Sequence, residues 1–221
     1  MAEPGHTMPE KRSPLCELED TLREASREAG ELIQLREVPF LAQINLRGDA
    51  GTPDFRQAVR SVIGFDLPVK ANTYATFASV SALWLGPDEW LLVGAPQSGE
   101  DLVGQLRQHL RSIRCSVVDV SDARTVIELS GTCCRELLAK GCGLDLRPRS
   151  FQPRQCAQAI IAHAGVLLQI VDESPRWRLY VRNSLANYLA SWLLDAMMEF
   201  RVREPIAGVE LRRPNLFGAS R

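Results

Sequence analysis

Apolar positions along the chain follow two periods in turn. Leu18, Leu22, Ala25 and Ala29 recur at helical spacing, and Gly30 ends the run. Residues 41–46 alternate instead, with Leu41, Gln43 and Asn45 on one side and Ala42, Ile44 and Leu46 on the other, as in a strand. Pro53 suits the first turn of a helix that carries Phe55, Val59, Val62 and Ile63 inward and stops at Gly64. Residues 82–85 and 90–93 predict two short strands joined by the turn Gly86-Pro87-Asp88-Glu89. Ser98 is the expected cap of a helix whose inward stripe is Leu102, Val103, Leu106, Leu110 and Ile113. Glu100 and Asp101 in its first turn, and Arg111 and Arg114 in its last, would complement the helix dipole. Residues 116–120 return as a strand. The order β-α-β-β-α-β is that of a ferredoxin-like unit.

The second half nearly repeats this order. Residues 125–129 predict a strand. Ser130 is the expected cap of a short helix that buries Cys134, Leu137 and Leu138 and stops at Gly141. A loop over 144–153 follows, then strands at 156–162, 166–171 and 177–181. Ser184 is the expected cap of the last helix, with Leu185, Tyr188, Leu189, Trp192, Leu193 and Ala196 as one apolar stripe. The pattern therefore predicts an α+β fold made of two ferredoxin-like βαββαβ-type halves packed together. An N-terminal arm and helix (1–30), one α+β domain (31–200) and a C-terminal extension (201–221) complete the expected organisation, with residues 1–14 as a disordered arm.

Composition narrows the function classes. With 45% hydrophobic and 24% charged residues in 221, the chain is long enough to bury a core without staples. A formal net charge of −1 gives no electrostatic reason for nucleic acid or an anionic membrane as partner. The uncharged run 155–171 contains Gln155, Gln158, His163 and Gln169 and falls short of a membrane span. It reads as two strands turning near Ala164-Gly165. Six cysteines without a C-x-x-C pair, and a polar, proline-containing start, point to a reducing cytoplasm. All but three of the 26 basic residues are arginine. Codon bias would produce this, but arginine's planar fork also suits contacts between chains.

Candidate chemistry is sparse. Cys133 and Cys134 are adjacent on a helix and cannot both face one ion, and His6, His109 and His163 lie far apart. Cys142 or Cys156 with His163 could form a nucleophile and base only through folding. Asp88-Glu89, Asp119 with Asp122, and Asp172-Glu173 fall at turns or strand ends. Gly141 and Gly143 open a G-x-G-x-x-G pattern, but Leu146 occupies its third glycine position, and a helix end, not a strand, precedes it. The residues by themselves predict no catalytic, cofactor or metal site on this chain.

Five stretches together resemble the gamma subunits of bacterial heterotetrameric sarcosine oxidases: residues 39–49 (PFLAQINLRGD), 82–91 (ALWLGPDEWL), 118–131 (VDVSDARTVIELSG), 138–146 (LAKGCGLDL) with Cys156-Ala157-Gln158, and 178–182 (RLYVR) before the tryptophan-bearing helix. That family is similar in fold to the folate-binding domain of glycine-cleavage aminomethyltransferase. The resemblance implies a non-catalytic subunit of an oxidase that converts sarcosine, tetrahydrofolate and oxygen to glycine, 5,10-methylenetetrahydrofolate and hydrogen peroxide. It implies FAD, FMN, NAD, tetrahydrofolate and zinc on the alpha, beta and delta subunits, with the large alpha subunit as the chief partner. Arg47, Arg124, Arg147 and Arg149 are the expected interface residues, through bidentate pairing to a partner's carboxylates. An alternative is a stand-alone folate-binding protein of the aminomethyltransferase or iron–sulfur-maintenance type. Lys140-Gly141-Cys142 resembles the opening of the latter's motif. Glu173 is the one remnant of the aminomethyltransferase folate signature.

Overall fold

Helices cover the outer faces of two antiparallel sheets whose inner faces pack together. The computed structural model describes residues 11–171 and 176–201. In chain order these form α1 (Glu19–Ala29), β1 (Gln34–Glu37), β2 (Ala42–Gly48), α2 (Pro53–Ile63), β3 (Tyr74–Phe77), β4 (Val80–Gly86), β5 (Glu89–Gly94), α3 (Gly99–His109), β6 (Cys115–Asp119) and β7 (Arg124–Ser130). Then come α4 (Cys134–Ala139), β8 (Cys156–Ile161), β9 (Ala164–Ile170), β10 (Trp177–Arg182), α5 (Asn183–Ala196) and a 3-10 turn at Met198–Phe200.

The sheets run β3-β4-β5-β2-β6 and β8-β9-β10-β7-β1. Set side by side, the two orders match strand for strand. α2 and α4 follow the equivalent strands β2 and β7, and α3 and α5 follow β5 and β10. Only the source of the last strand differs. β6 follows α3 directly, whereas the second unit takes β1 from the N-terminal side of the chain.

Alternation along the strands builds three cores. Ile44, Leu46, Trp90 and Leu92 face α2 and α3 and pack with Phe55, Val59 and Leu106. Ile127, Leu168, Trp177 and Leu179 face the other helices and meet Leu22, Ala25, Leu137 and Leu193. Between the sheets lie Leu41, Leu83, Leu91, Val93, Val126, Cys156, Leu167 and Tyr180. Strands buried on both faces read as unbroken apolar runs, which accounts for Trp90-Leu91-Leu92-Val93. Each such side chain contributes about 1.5–3 kcal/mol by leaving water.

The α+β class and the stacked halves agree with the sequence pattern; several local expectations do not. β1 and β3 are additional strands, each four residues long at a sheet edge. Ser98 stands at the N-cap of α3, but its hydroxyl donates to the Ala95 carbonyl at 2.7 Å instead of accepting from the helix. That helix ends at His109, so Arg111 and Arg114 lie beyond it. Ser130 closes β7, and Cys133 is the N-cap of α4. α5 starts at Asn183, which places Ser184 inside it. Its buried stripe is Ala186, Leu189, Ala190 and Leu193, while Tyr188 is 38% exposed. The β8–β9 turn falls at Ala162-His163, two residues before Ala164-Gly165, with Ala162 at φ 52°. Gly131, at φ 123°, lets β7 pass the 31–32 backbone. A Cβ there would stand 2.4 Å from the Leu32 carbonyl oxygen.

Candidate functional site: polar groups on the inner sheet faces

The inner face of the second sheet carries a row of polar side chains where alternation would otherwise place apolar ones. Glu128 on β7 is 4% exposed and accepts from Arg178 Nε at 2.9 Å and from Arg36 Nε at 3.0 Å. Burial pushes its carboxyl upward, but the bonds and charges of the two guanidiniums outweigh this and hold it below the usual range. Tyr180, fully buried, donates to Gln169 Oε1 at 2.7 Å, and burial raises its phenol. Tyr74 from β3 reaches across to the carbonyls of Ile170 and Val171 at 2.9 Å each, tying the two sheets together.

The four arginines expected at an interface occupy different settings. Arg47, on β2, is bonded to Glu89 at 2.6 Å, and Asn45 holds the other oxygen of that carboxylate at 2.7 Å. Arg124 begins β7 and adds its charge to the same Glu89. It lines a cleft of about 340 Å³ between the sheets together with Leu85, Glu89, Gln158, Arg182 and Leu185. Arg147 and Arg149 belong to the loop after α4. The Arg147 fork is closed onto Asp145, with Nε and Nη2 each 2.7 Å from a carboxylate oxygen, and Asp145 is held well below the usual carboxylate range. Arg149 is exposed. The fold thus brings Arg47 and Arg124 to one carboxylate and leaves the other two on a separate loop.

The groups weighed as nucleophiles are set for inertness. Cys156 lies in the inter-sheet core, its thiol directed at the carbonyls of Thr73 and Trp84 at 3.3 and 3.7 Å, and burial pushes it up to about 12. A reactive thiol needs the opposite shift. Cys142 is buried in the core of the helix side, and the His163 ring sits 6.2 Å from that of Tyr188. Gly141 follows α4 and packs on the Trp192 ring, so the glycine pair is no strand-to-helix phosphate turn. Among the described residues no group of three or more His, Cys, Asp or Glu could hold a metal ion. No described helix is long and apolar enough to cross a membrane. Glu173, the remnant weighed for folate, lies outside the described residues.

Sequence reading did not single out Glu128, Arg36, Arg178 or Arg182. The available signal was charge recurring four residues apart, and so on one face, within otherwise largely apolar strands: 124 and 128 on β7, and 178 and 182 on β10.

Comparison with known proteins decides the family. Residues 47–199 match the model of the "Sarcosine oxidase, gamma subunit family". The chain belongs to that family. The sarcosine oxidase subunit gamma of Corynebacterium sp. strain P-1 is 35% identical over 198 residues, spanning 89% of this chain and 94% of the relative. Among solved structures, the heterotetrameric sarcosine oxidase from Corynebacterium sp. U-96, in complex with pyrrole 2-carboxylate, contains a similar chain. The TM-score is 0.80 at 34% identity, covering 88% of this chain and 98% of that one. Glycine cleavage system aminomethyltransferase T from Bartonella henselae shares the fold at a TM-score of 0.62 and 14% identity, covering 82% and 56%. Membership of the gamma family and the aminomethyltransferase-like fold therefore both agree with the resemblance read from the sequence.

Proposed function

We propose that this chain is the non-catalytic gamma subunit of a heterotetrameric sarcosine oxidase, packed chiefly against the large folate-binding alpha subunit in the cytoplasm. In this reading the beta and delta chains complete the assembly. FAD, FMN, NAD, tetrahydrofolate and zinc are held by the other three subunits, and the complex turns sarcosine, tetrahydrofolate and oxygen into glycine, 5,10-methylenetetrahydrofolate and hydrogen peroxide.

The observation that carries the reading is near-complete overlap with a chain of a solved heterotetrameric sarcosine oxidase. The side chains support a scaffolding role. Glu128 and Arg178, and Tyr180 and Gln169, satisfy each other on the inner face, and burial holds the Cys134 and Cys156 thiols protonated. Arg47, Arg124, Arg147 and Arg149 remain the proposed contact residues, with Arg47 and Arg147 each bringing a carboxylate partner of its own. The likeness to aminomethyltransferase carries the fold alone and brings no folate site to this chain.

Co-expression with the alpha, beta and delta chains followed by size-exclusion chromatography tests the proposal. The expected outcome is a stable complex of equal stoichiometry containing this chain, while the purified chain alone lacks flavin absorbance and oxidase activity. Elution of this chain alone, beside a fully active assembly of the other three, would overturn it.

A further inference from the structure

Arg124 and Arg182 stand directly opposite each other on β7 and β10, and both side chains line the cleft between the sheets. Like charges at opposed positions on neighbouring strands repel. Burial, followed by the charge of Arg182, depresses the Arg124 guanidinium, and Glu89 compensates in part. Among the described residues Glu89 is the one carboxylate lining the cleft, and Asn45 and Arg47 already occupy its two oxygens. Arg47 and Arg124 thus draw on a single carboxylate, and Arg182 adds a further positive charge at the cleft. The contrast lies on the same two strands. Glu128 and Arg178, also opposed in register, form a balanced pair, whereas Arg124 and Arg182 form an unbalanced one.

The cleft mouth is apolar on one side. Leu85 and Leu185 line it, and so does Gly165, beside which nothing comes within 4 Å of a Cβ position. Ile160 pairs with Gly165 across β8 and β9 and is 66% exposed. Desolvated arginine next to exposed aliphatic surface is the composition of protein–protein contact centres.

We infer that this cleft docks an acidic side chain of a partner subunit, an Asp or Glu with an apolar neighbour, its carboxylate held between the Arg124 and Arg182 forks and its neighbour resting on Ile160 and Leu185. A second carboxylate supplies the charge that the opposed arginines lack and allows paired, charge-assisted hydrogen bonds. The inference rests on the subunit reading above and adds to it the point of contact and the chemistry of the partner.

The test titrates the full chain, wild type and variants, against the complex of the other three subunits. Arg182→Gln is expected to weaken association at least about tenfold and to flatten its salt dependence. Ile160→Glu, which leaves both arginines in place, is expected to weaken it comparably by repelling the incoming carboxylate. The isolated Arg182→Gln chain is expected to melt at or above the wild-type midpoint, because a like-charge pair has been removed. Wild-type assembly with both variants binding equally well would overturn the docking inference and leave the subunit reading intact. Failure of the wild type to assemble would overturn the subunit reading and the inference with it. Saturable binding of succinate to the isolated chain, lost in Arg182→Gln while assembly is unaffected, would also overturn it and assign the cleft to a small carboxylic acid.

Discussion

Arg178 donates from Nε to Glu128 Oε2 at 2.9 Å from the directly opposed position on the neighbouring strand. Arg36 stands opposite the same Glu128 on its other side, on β1. The three side chains form a ladder across three strands with its negative member in the middle. Breaking a buried pair costs more than the pair contributes, because the surviving charge stays buried. Glu128→Ala is expected to destabilise the isolated chain by about 3–4 kcal/mol, since it strands Arg178. Arg36 is 68% exposed at its side chain, so Arg36→Ala should cost under about 1 kcal/mol. Urea unfolding of the two variants checks the asymmetry; equal losses would contradict it.

The same carboxylate fixes a pH dependence. Folding lowers the Glu128 pKa, so folding favours the ionised form. Its stabilisation is complete above the unfolded value of about 4.3 and is lost as pH falls through the lower folded value. The stability gap between wild type and Glu128→Gln should therefore stay constant from about pH 6 to 8 and shrink on acidification below about pH 4. Urea midpoints measured across that range provide the check. A gap that widened in acid would contradict the assignment.

Tyr180 and Gln169 make a second closed pair on this face. Tyr180→Phe keeps the ring volume but leaves Gln169 Oε1 without its donor, at an expected cost of about 1 kcal/mol. Because burial raises the phenol, Tyr180 is expected to stay protonated until the chain unfolds in alkali. Ultraviolet difference absorbance during alkaline titration, compared between wild type and Tyr180→Phe, should show the Tyr180 contribution only once the chain unfolds.

Much of this architecture was legible because apolar period and turn chemistry agreed. The Gly86 to Glu89 turn, the Pro53 helix start and the left-handed Gly64 stop all appear where the residues put them. β1 was invisible for a physical reason. Gln34-Leu35-Arg36-Glu37 carries one buried apolar residue, and an edge strand needs no more. The serines misled because a hydroxyl that can cap a helix can equally serve a turn, as Ser98 does with Ala95. Inner-face charges were hidden by distance along the chain. Arg36 and Glu128 are 92 residues apart, and Arg178 lies another 50 beyond. A cleft whose arginines face each other across β7 and β10 is a property of register, which alternation within single strands does not specify.

The thiols divide by burial. Cys134, Cys142 and Cys156 are buried, whereas Cys16, Cys115 and Cys133 are partly exposed. Burial raises the Cys134 and Cys156 thiols to about 12, so the reactive thiolate is scarce even where reagent gains access. Dithiobisnitrobenzoate at about pH 8 is expected to modify three thiols in the native chain, Cys115 slowest because burial also raises it, and all six in urea. Rapid modification of Cys156 in the folded chain would contradict the packing of the inter-sheet core.

The segment before β2 belongs energetically to the far end of the chain. Leu22, Ala25, Ala29, Ile33 and Leu35 sit in the same core as Leu168, Trp177 and Leu193, and β1 closes the open edge of β7. Ile33 is fully buried, so Ile33→Ala removes aliphatic volume from a core that cannot fully collapse around the gap; about 2–5 kcal/mol should be lost. Its neighbour Leu32 is 39% exposed, and Leu32→Ala should stay within about 0.5 kcal/mol. Gly131→Ala probes the same junction from the other side. Its added Cβ meets the Leu32 carbonyl at a φ that a side chain resists, so a loss of about 2–3 kcal/mol is expected. If α1 and β1 unfolded separately from the second sheet, Ile33→Ala would leave the urea midpoint of Trp177 fluorescence unchanged. Contact with that core requires instead that the whole transition move together.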